Sequence, residues 1–572
     1  MASLQARRVR GHTYWHIVES RRVNGKPRPV PIAYLGKADD LLERLRGSDA
    51  LELRSASHGA VAALWSLASE LDLAGIIDRH LQHSGRRLRP SMGEARREPT
   101  KSDGLTVGQS LTLAAIGRAC HATSKRAFAA WADTTTLGEL AGVAQVGRLT
   151  SQHFWDQMDQ VPVESIEAIE RDVVRRVLEL FPVSSGTLLF DATNFFTFIA
   201  STNTRATLPA RGHNKQKRDD LRQVGVALLC SREGGLPLWH QTYGGQIADS
   251  NCFAQALPAL RQRLVELGRN VESLTLVYDK GNVSRANQRQ VDASGLHYVT
   301  AVTSASQAAL IAEANSKLQP VTLANGEQVQ AYRTTRSIWG VERTAVVLLS
   351  ERLRQGQMRG VLQHVASAQR WLSPLQETLH RKAQKRDRAR IERDIETRLH
   401  GRQRLSEVLK VELSGEGRDL SLSYHFDQER FEALAADVLG RIVLVTDQET
   451  WATAEIIDAY HGQARIEAAF AHLKDPIHLA LRPQFHWTDQ KLHVHVFTCL
   501  LGYLLSSGLF LRARRAEASY ASMESLLDAL AQVRRVTIAR RSPSRKGRMR
   551  VSTQLESIDP GLAPLLPALG VA

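Results

Sequence analysis

The chain has 572 residues, 43% hydrophobic and 23% charged, with 75 Lys+Arg against 59 Asp+Glu and a formal net charge of +16. This composition excludes a mainly disordered chain, a collagen-like repeat and a disulfide-stapled scaffold, and the length corresponds to roughly three or four domains of ~150 residues. The basic surplus points to a polyanionic partner, most simply nucleic acid, because phosphate contacts release counterions; a merely basic surface is the alternative that charge alone leaves open.

Residues 13–35 alternate as a β-hairpin around Asn24-Gly25, a pair that favours the type I′ turn. Arg21, Arg22, Lys26 and Arg28 surround its tip, either to lie along a phosphate backbone or as an ordinary solvated tip. Residues 40–180 read mostly as helix, with an Arg-, Pro-, Ser- and Gly-rich loop over 86–103. The pattern changes at Phe181-Pro182. TLLFD (187–191), LRQVGVALLCS (221–231) and LPLWHQTY (236–243) read as strands, and 251–268 as a helix with apolar residues at helical spacing. Strand SLTLVYD (273–279), a helix over 284–294 and strand LHYVTAV (296–302) follow. This succession predicts an α/β layer with helices packed on a mixed sheet.

Residues 305–450 break that pattern, with strands at 345–350 and 440–447 and a helical stretch over 378–404 holding ten basic and four acidic residues. Most of those charges read as a solvated face, with contact to DNA as the alternative. One helix is predicted over 452–474 and an apolar one over 494–511. The apolar run Val496–Leu511 has 16 residues, short of the ~20 needed to span a bilayer, so it is expected as a buried core helix. The tail from Arg534 to Arg550 holds eight basic residues and no acid, and reads as a flexible arm touching nucleic acid or as a disordered terminus. The four cysteines form no C-x-x-C pair and the N-terminus lacks the apolar core of a signal peptide, so a soluble protein of a reducing cytosol is expected.

Asp191 closes TLLFD and Asp279 closes LTLVYD. Strand ends in such sheets open into the active crevice, although each aspartate by itself also reads as a cap or turn residue. Glu467 borders the packing face formed by Ile456, Tyr460, Ile466, Phe470 and Leu473 on the 452–474 helix. A carboxylate at the edge of a buried stripe needs a partner, and a divalent cation shared with the two aspartates would supply one. Three hard oxygen ligands suit Mg2+ or Mn2+ rather than zinc, and paired cations can activate a water or a 3′-hydroxyl against a phosphodiester. No phosphate-binding G-x-x-x-x-G-K-[ST] loop and no G-x-S-x-G elbow occurs, and His486, His493 and His495 read as core or surface histidines.

At these residues the sequence resembles the DDE, RNase H-like transposases of bacterial insertion sequences, in the IS-four-type superfamily and its IS-sixteen-thirty-four-like branch. LLFDATNFF is similar to the family's first-Asp strand, and GHNKQKRDDLRQVGVALLCSREGGLPL to its next block. GGQIADSN resembles a G-N-x-x-D turn with Gln246 in place of Asn, and LVYDKGNVSRAN resembles the second-Asp block. IEAAFAHLKDPIHLALRPQFHWTDQKLHVHVF resembles the third block. The resemblance runs from the N-terminal hairpin to the apolar helix.

The resemblance implies that Asp191, Asp279 and Glu467 are the catalytic triad and the ligands of Mg2+ or Mn2+. The family signature Tyr-x2-Arg-x3-Glu-x6-Lys falls on Tyr460, Gln463, Glu467 and Lys474, with Gln463 where Arg makes a phosphate contact. Tyr460, Arg465 and Lys474, with Lys215, Lys217 and Arg218, are the implied DNA-binding residues. The implied fold is an α/β, RNase H-like core of mixed sheet and flanking helices, interrupted by a β-rich and helical insertion. A mostly helical N-terminal region with a leading β-hairpin precedes it. The boundaries expected are 1–48 for hairpin and linker, 49–182 for the helical region, 183–304 and 451–515 for the two parts of the core, 305–450 for the insertion and 516–572 for a basic C-terminal region. The implied function is that of a transposase which binds terminal inverted repeats, cuts them and joins them to target double-stranded DNA. The protein would form a homodimer in the synaptic complex, associate with the bacterial nucleoid in the cytoplasm and touch no membrane. A DDE-type nuclease and a domesticated DNA-binding protein without catalysis are the alternatives.

Overall fold

A computed structural model describes residues 2–9, 12–23, 26–39, 42, 51–82, 105–183, 186–200, 202–212, 214, 218–381, 386–400, 404–482, 485–541, 549–556 and 558–571. The chain divides into two compact units, one of Met1–Gln160, Ile477–Leu479 and Leu505–Ala572, the other of Val161–Pro476 and Ala480–Leu504.

In the first unit, β1 (Ala2–Val9), β2 (His12–Val23) and β3 (Lys26–Lys37) form an antiparallel sheet. The expected hairpin is its β2–β3 pair, closed at Val23 and Lys26; β1 is an addition, and the Asn24-Gly25 turn lies outside the described residues. β4 (Leu51–Ser57) leads into α1 (Gly59–Glu70), α2 (Leu73–Gln82), α3 (Val107–Cys120), α4 (Phe128–Asp133), α5 (Leu137–Leu140) and α6 (Ser151–Asp159). The loop read over 86–103 lies outside the described residues. Thr106 and Gln109 form a reciprocal capping box that starts α3. α2 and α3 approach closely at Gly108, where a Cβ would stand 2.1 Å from the Ala74 carbonyl oxygen.

The second unit begins with α7 (Val163–Leu180) and is built on a nine-stranded sheet. Its strands and helices run β5 (Thr187–Thr197), β6 (Arg222–Ser231), β7 (Pro237–Gly244), α8 (Asp249–Glu266), β8 (Thr275–Tyr278), α9 (Arg285–Ser294), β9 (His297–Val302) and α10 (Ala308–Asn315). β10 (Gln319–Thr322), β11 (Gln328–Ile338) and β12 (Val341–Leu349) follow, and β15 (Arg441–Thr446) completes the sheet. The spatial order is β10-β11-β12-β15-β9-β8-β5-β6-β7. β5, β8 and β9 are mutually parallel and the other pairings are antiparallel. An α/β architecture with a mixed sheet and packed helices is thus the observed fold.

Two expectations change here. The strands read at 345–350 and 440–447 were assigned to the insertion, but they are β12 and β15, and they join the main sheet next to β9. What interrupts the sheet is therefore the interval 351–440. It holds α11 (Glu351–His380), α12 (Arg388–Leu399), α13 (Leu405–Val408), β13 (Leu409–Ser414), β14 (Ser421–Phe426) and α14 (Gln428–Asp437). This interval has its own core, including Leu372, Leu379, Leu405, Leu420, Phe431 and Leu434. The charged stretch 378–404 is divided between the end of α11 and α12 rather than one helix. Several of its charges act structurally: Arg388 donates to the carbonyls of Leu413 and Gly415, and Arg398 lies 4.6 Å from the Trp371 ring.

After β15 come α15 (Thr453–His461), α16 (Gln463–Lys474) and α17 (Asp489–Arg515). By length and composition α17 passes as a membrane span, with mean hydropathy 1.8 over its most apolar window, yet 94% of that window is buried inside the protein. The core-helix expectation fits this burial. His486 and His495 are buried and stacked with ring centroids 4.3 Å apart, also as core residues.

The chain ends with α18 (Met523–Ala531), β16 (Arg534–Arg541) and β17 (Met549–Leu555). The basic tail is thus no free arm where it is described: β16 pairs with both β17 and β4. The alternation in RRVTIARR puts Val536 and Ile538 on one strand face, opposite Ser55 and Leu53 of β4. Residues 542–548 lie outside the described residues.

Candidate active site

Asp191 and Asp279 are brought together by the parallel pair β5–β8. Phe190 and Tyr278 are register partners, so each aspartate follows a paired residue on neighbouring strands, which stand about 4.8 Å apart. β8 ends there, and Asp279 opens the short 3-10 turn Lys280–Asn282. β5 does not end at Asp191 as expected. It continues to Thr197, because Asn194, Phe195 and Phe196 pair with Gly225, Val224 and Gln223 of β6. Polar residues interrupt the apolar run there without interrupting the ladder.

Residues two apart on a strand share a face, so Thr193 lies on the same side of β5 as Asp191. Lys474, at the end of α16, donates to the Thr193 hydroxyl at 2.7 Å and lies 5.3 Å from the Phe195 ring centroid. These contacts fix α16 over the aspartate-bearing face. Glu467 and Lys474 fall on nearly the same side of α16, since seven residues advance about two turns.

The expected single helix 452–474 is two helices joined at Gly462. Gly462 is buried, and a Cβ there would stand 2.8 Å from the Ala459 carbonyl oxygen and 3.1 Å from Leu189 on β5. The glycine lets the junction sit directly on the strand that carries Asp191.

Asp191, Asp279, Glu467, Tyr460 and Lys474 all line one cavity of about 580 Å3. Asp191 accepts from the Ala192 backbone N–H at 2.8 Å. The Tyr460 hydroxyl lies 3.4 Å from Asp279 Oδ1. Burial, the Asp279 charge and this contact raise the phenol well above its ordinary range, so it stays protonated and acts as a donor. Glu467 is exposed, so burial does not by itself demand a partner for it, contrary to the sequence-based argument.

The remaining candidates are placed differently. Arg465 is exposed on α16 and does not line the cavity. Arg218 is exposed and pairs with Asp220 at 2.8 Å, away from the lining. Lys215 and Lys217 lie outside the described residues. Polar lining residues that sequence reasoning missed are Thr193, Asp249 at the start of α8, Asn282 and His461. Asp249 belongs to the GGQIADSN stretch already singled out. Asn282 gave no signal; it is 2% exposed and its Oδ1 has no hydrogen-bond partner. Gln463 also lines the cavity, and its Nε2 is buried without a partner.

The lining is therefore rich in acceptors: four carboxylates and Asn282 line it together with one lysine, Lys474. Among the described residues, no three His, Cys, Asp or Glu side chains stand close enough together to form a ready-made cation cage.

A mixed α/β sheet that gathers acidic residues from two parallel strands and a following helix defines a carboxylate-site enzyme. Residues 186–505, more than half of the chain, match the Transposase DDE domain family, and the protein belongs to that family. DDE transposases use divalent metal ions. Among solved structures, the chain resembles a cryo-EM structure of a piggyBac transposase synaptic complex with hairpin DNA. The identity is 9% and the TM-score 0.39, covering 82% of this chain and 79% of that one. No curated protein matches.

Proposed function

We propose that this DDE transposase binds the terminal inverted repeats of an insertion sequence, cleaves the DNA ends and joins them to target DNA, with Asp191, Asp279 and Glu467 as the catalytic carboxylates. The observation that carries this reading is that all three line one cavity with Lys474. The order β7-β6-β5-β8-β9, with only β6 reversed, supports an RNase H-like core within the larger sheet. The resemblance to the IS-four-type superfamily supports a bacterial, nucleoid-associated protein of the cytoplasm. Bringing two DNA ends together supports a homodimer.

The donor set fits a hard divalent cation, because every carboxylate is an oxygen ligand and the Asn282 amide oxygen is buried without a donor. Asp191, Asp279 and Glu467 would hold Mg2+ or Mn2+, which would supply Lewis acidity toward an attacking water or 3′-hydroxyl and offset charge on the phosphate. Lys474, fixed by Thr193, holds a DNA phosphate beside the carboxylates. Tyr460 keeps its proton and, from its place against Asp279, orients that carboxylate.

The test is cleavage of a DNA fragment carrying the gene's own flanks, with Mg2+ or with EDTA, and with product ends mapped by sequencing. Nicks at inverted-repeat boundaries that need Mg2+ and vanish in Asp279→Asn are expected. DNA binding without any cut, identical in both proteins, would overturn the catalytic reading.

A further inference from the structure

Among the described residues four Phe, Tyr and Trp side chains are exposed, and three of them lie in the second unit. These are Phe198, Phe485 and Trp487, which are 49%, 56% and 60% exposed; the fourth is Tyr34. Phe198 and Phe485 have ring centroids 5.8 Å apart. His486, between Phe485 and Trp487, turns inward and stacks on His495. Its neighbours are thereby left facing out. Phe198 and Phe485 thus form an exposed aromatic pair, with a third exposed ring, Trp487, two residues further along the chain, which makes this face a candidate binding surface.

The cluster is held in place by polar contacts. The Trp487 carbonyl accepts from Asn203 Nδ2 at 3.0 Å. Asp489 accepts from the backbone N–H groups of Thr207 at 3.0 Å and Leu208 at 2.9 Å, and from the Thr207 hydroxyl at 2.6 Å. Arg222 donates to the carbonyls of Ile199 and Ala200. The rings are therefore displayed on a pinned loop, at little cost in ordering when something binds.

Two features identify the occupant. Residues 192–212 contain no Asp or Glu, while Arg205 and Arg211 there are exposed, Arg211 within reach of Asp220; Asp489 is occupied by the amides of Thr207 and Leu208. The surroundings thus favour a polyanion. The cluster also continues the strand that enters the active cavity: Asp191, Thr193, Phe195 beneath Lys474, then Phe198 just beyond the end of β5. Along an extended strand this is roughly 20 Å from Asp191, or about six nucleotides of a stacked strand.

We propose that Phe198, Phe485 and Trp487 form a stacking platform for an unpaired nucleobase of the DNA strand that enters the active cavity. The inference rests on the DNA transposase reading. Aromatic rings take bases of any identity by their π faces while basic side chains hold the backbone. The two phenyl rings stand too close to admit a base between them, which needs ~7 Å, about twice the stacking distance. The base lies over their outer surface, beside Trp487.

The experiment compares anisotropy of three labelled probes at one ionic strength: oligothymidylate of about 20 nucleotides, an abasic strand of equal length and a blunt duplex. The wild type is expected to prefer the base-bearing strand to the abasic one by about tenfold. The double variant Phe198→Ala/Trp487→Ala loses that preference but keeps its duplex affinity, and Trp487→Phe retains it. Equal binding of the two single strands by the wild type overturns the platform while leaving the transposase reading intact. A variant that changes sedimentation mass instead shows the cluster to be a protein interface, and overturns it too. Failure to bind any of the three probes removes the DNA reading and the platform together.

Discussion

Asp191 within β5 and Asp279 at the end of the adjacent parallel β8 stand at the same level, each one residue beyond the register pair Phe190–Tyr278. Two carboxylates so placed repel each other unless a positive charge lies between or beside them. Lys474 supplies one, through the α16 end it anchors to Thr193. Asp191→Asn and Asp279→Asn preserve shape but remove the charge that a cation would need. Each is expected to lower end cleavage at least ~100-fold, about 2.7 kcal/mol in barrier, with DNA affinity and melting temperature little changed. Single-turnover cleavage beside a gel-shift titration checks it.

Lys474 is the ammonium tied to that lining through Thr193. Lys474→Met is expected to weaken binding of every DNA sequence alike and to reduce the slope of log affinity against log salt by about one phosphate contact. Lys474→Arg should restore the slope but not the full cleavage rate, because the longer, planar guanidinium cannot bond Thr193 and hold its charge where the compact ammonium does. Affinity measured over a range of salt concentrations decides it.

A buried ionic cluster under the sheet sets an acid limit on stability. Glu170 of α7 accepts from Arg263 of α8 at 2.9 Å and contacts His240 of β7, with Arg263 fully buried. Burial raises the Glu170 carboxyl, but His240 and Arg263 together outweigh it and hold the group below its usual range. His493 on α17 also faces this cluster, and burial, then the nearby His240 charge, lower its pKa. Because the folded Glu170 value lies below the unfolded one, its contribution is present above about pH 4.5 and is lost as pH falls through the folded value. Melting temperature should therefore fall steeply below that pH. Glu170→Gln should flatten this fall and cost about 3–5 kcal/mol near neutrality, because it removes the close buried partner of Arg263 and leaves it only the exposed Glu167 carboxylate at 4.0 Å. Thermal melts of both proteins from pH 3 to pH 8 separate the two effects.

Much of the site was legible in the sequence because it sits at the ends of apolar runs. TLLFD and LTLVYD each announce a buried strand and the carboxylate that closes its apolar run, and the apolar spacing of 456–473 announces the helical stretch that carries Glu467. The elements that were missed or misplaced lack that contrast. β16 is described in a run so basic that charge masked its alternation, and its partner β4 lies far away in sequence. β12 and β15 were recognised as strands, but nothing local tells which sheet a strand will join. Asn282 became visible only through folding, since a 3-10 turn places it in the lining.

Gly462 illustrates the same limit and is directly testable. In sequence it looks like a tolerated glycine inside one long helix; in the fold it separates α15 from α16 where the chain presses on Leu189. Gly462→Ala places a Cβ 2.8 Å from the Ala459 carbonyl oxygen and forces the junction to move. The expected destabilisation is about 1–3 kcal/mol. Cleavage should fall by more than stability predicts, because Tyr460 and Glu467 lie on opposite sides of the junction. Comparing activity at a temperature where both proteins remain folded distinguishes displacement from unfolding.

Gln463 gives the last prediction. Its Nε2 is buried, unpaired and at the cavity wall, an arrangement that costs about 1–3 kcal/mol until a ligand acceptor arrives. A neutral donor there would meet a DNA phosphate through one hydrogen bond and release no counterion. Gln463→Arg places a cation beside the four carboxylates, which stabilises the free protein and adds a phosphate contact. Tighter binding is expected, with a salt slope steeper by about one contact. Gln463→Leu removes the orphaned donor instead: it should raise the melting temperature slightly while weakening DNA binding by up to about tenfold. If both variants bind DNA as the wild type does at every salt concentration, Gln463 makes no contact with the substrate.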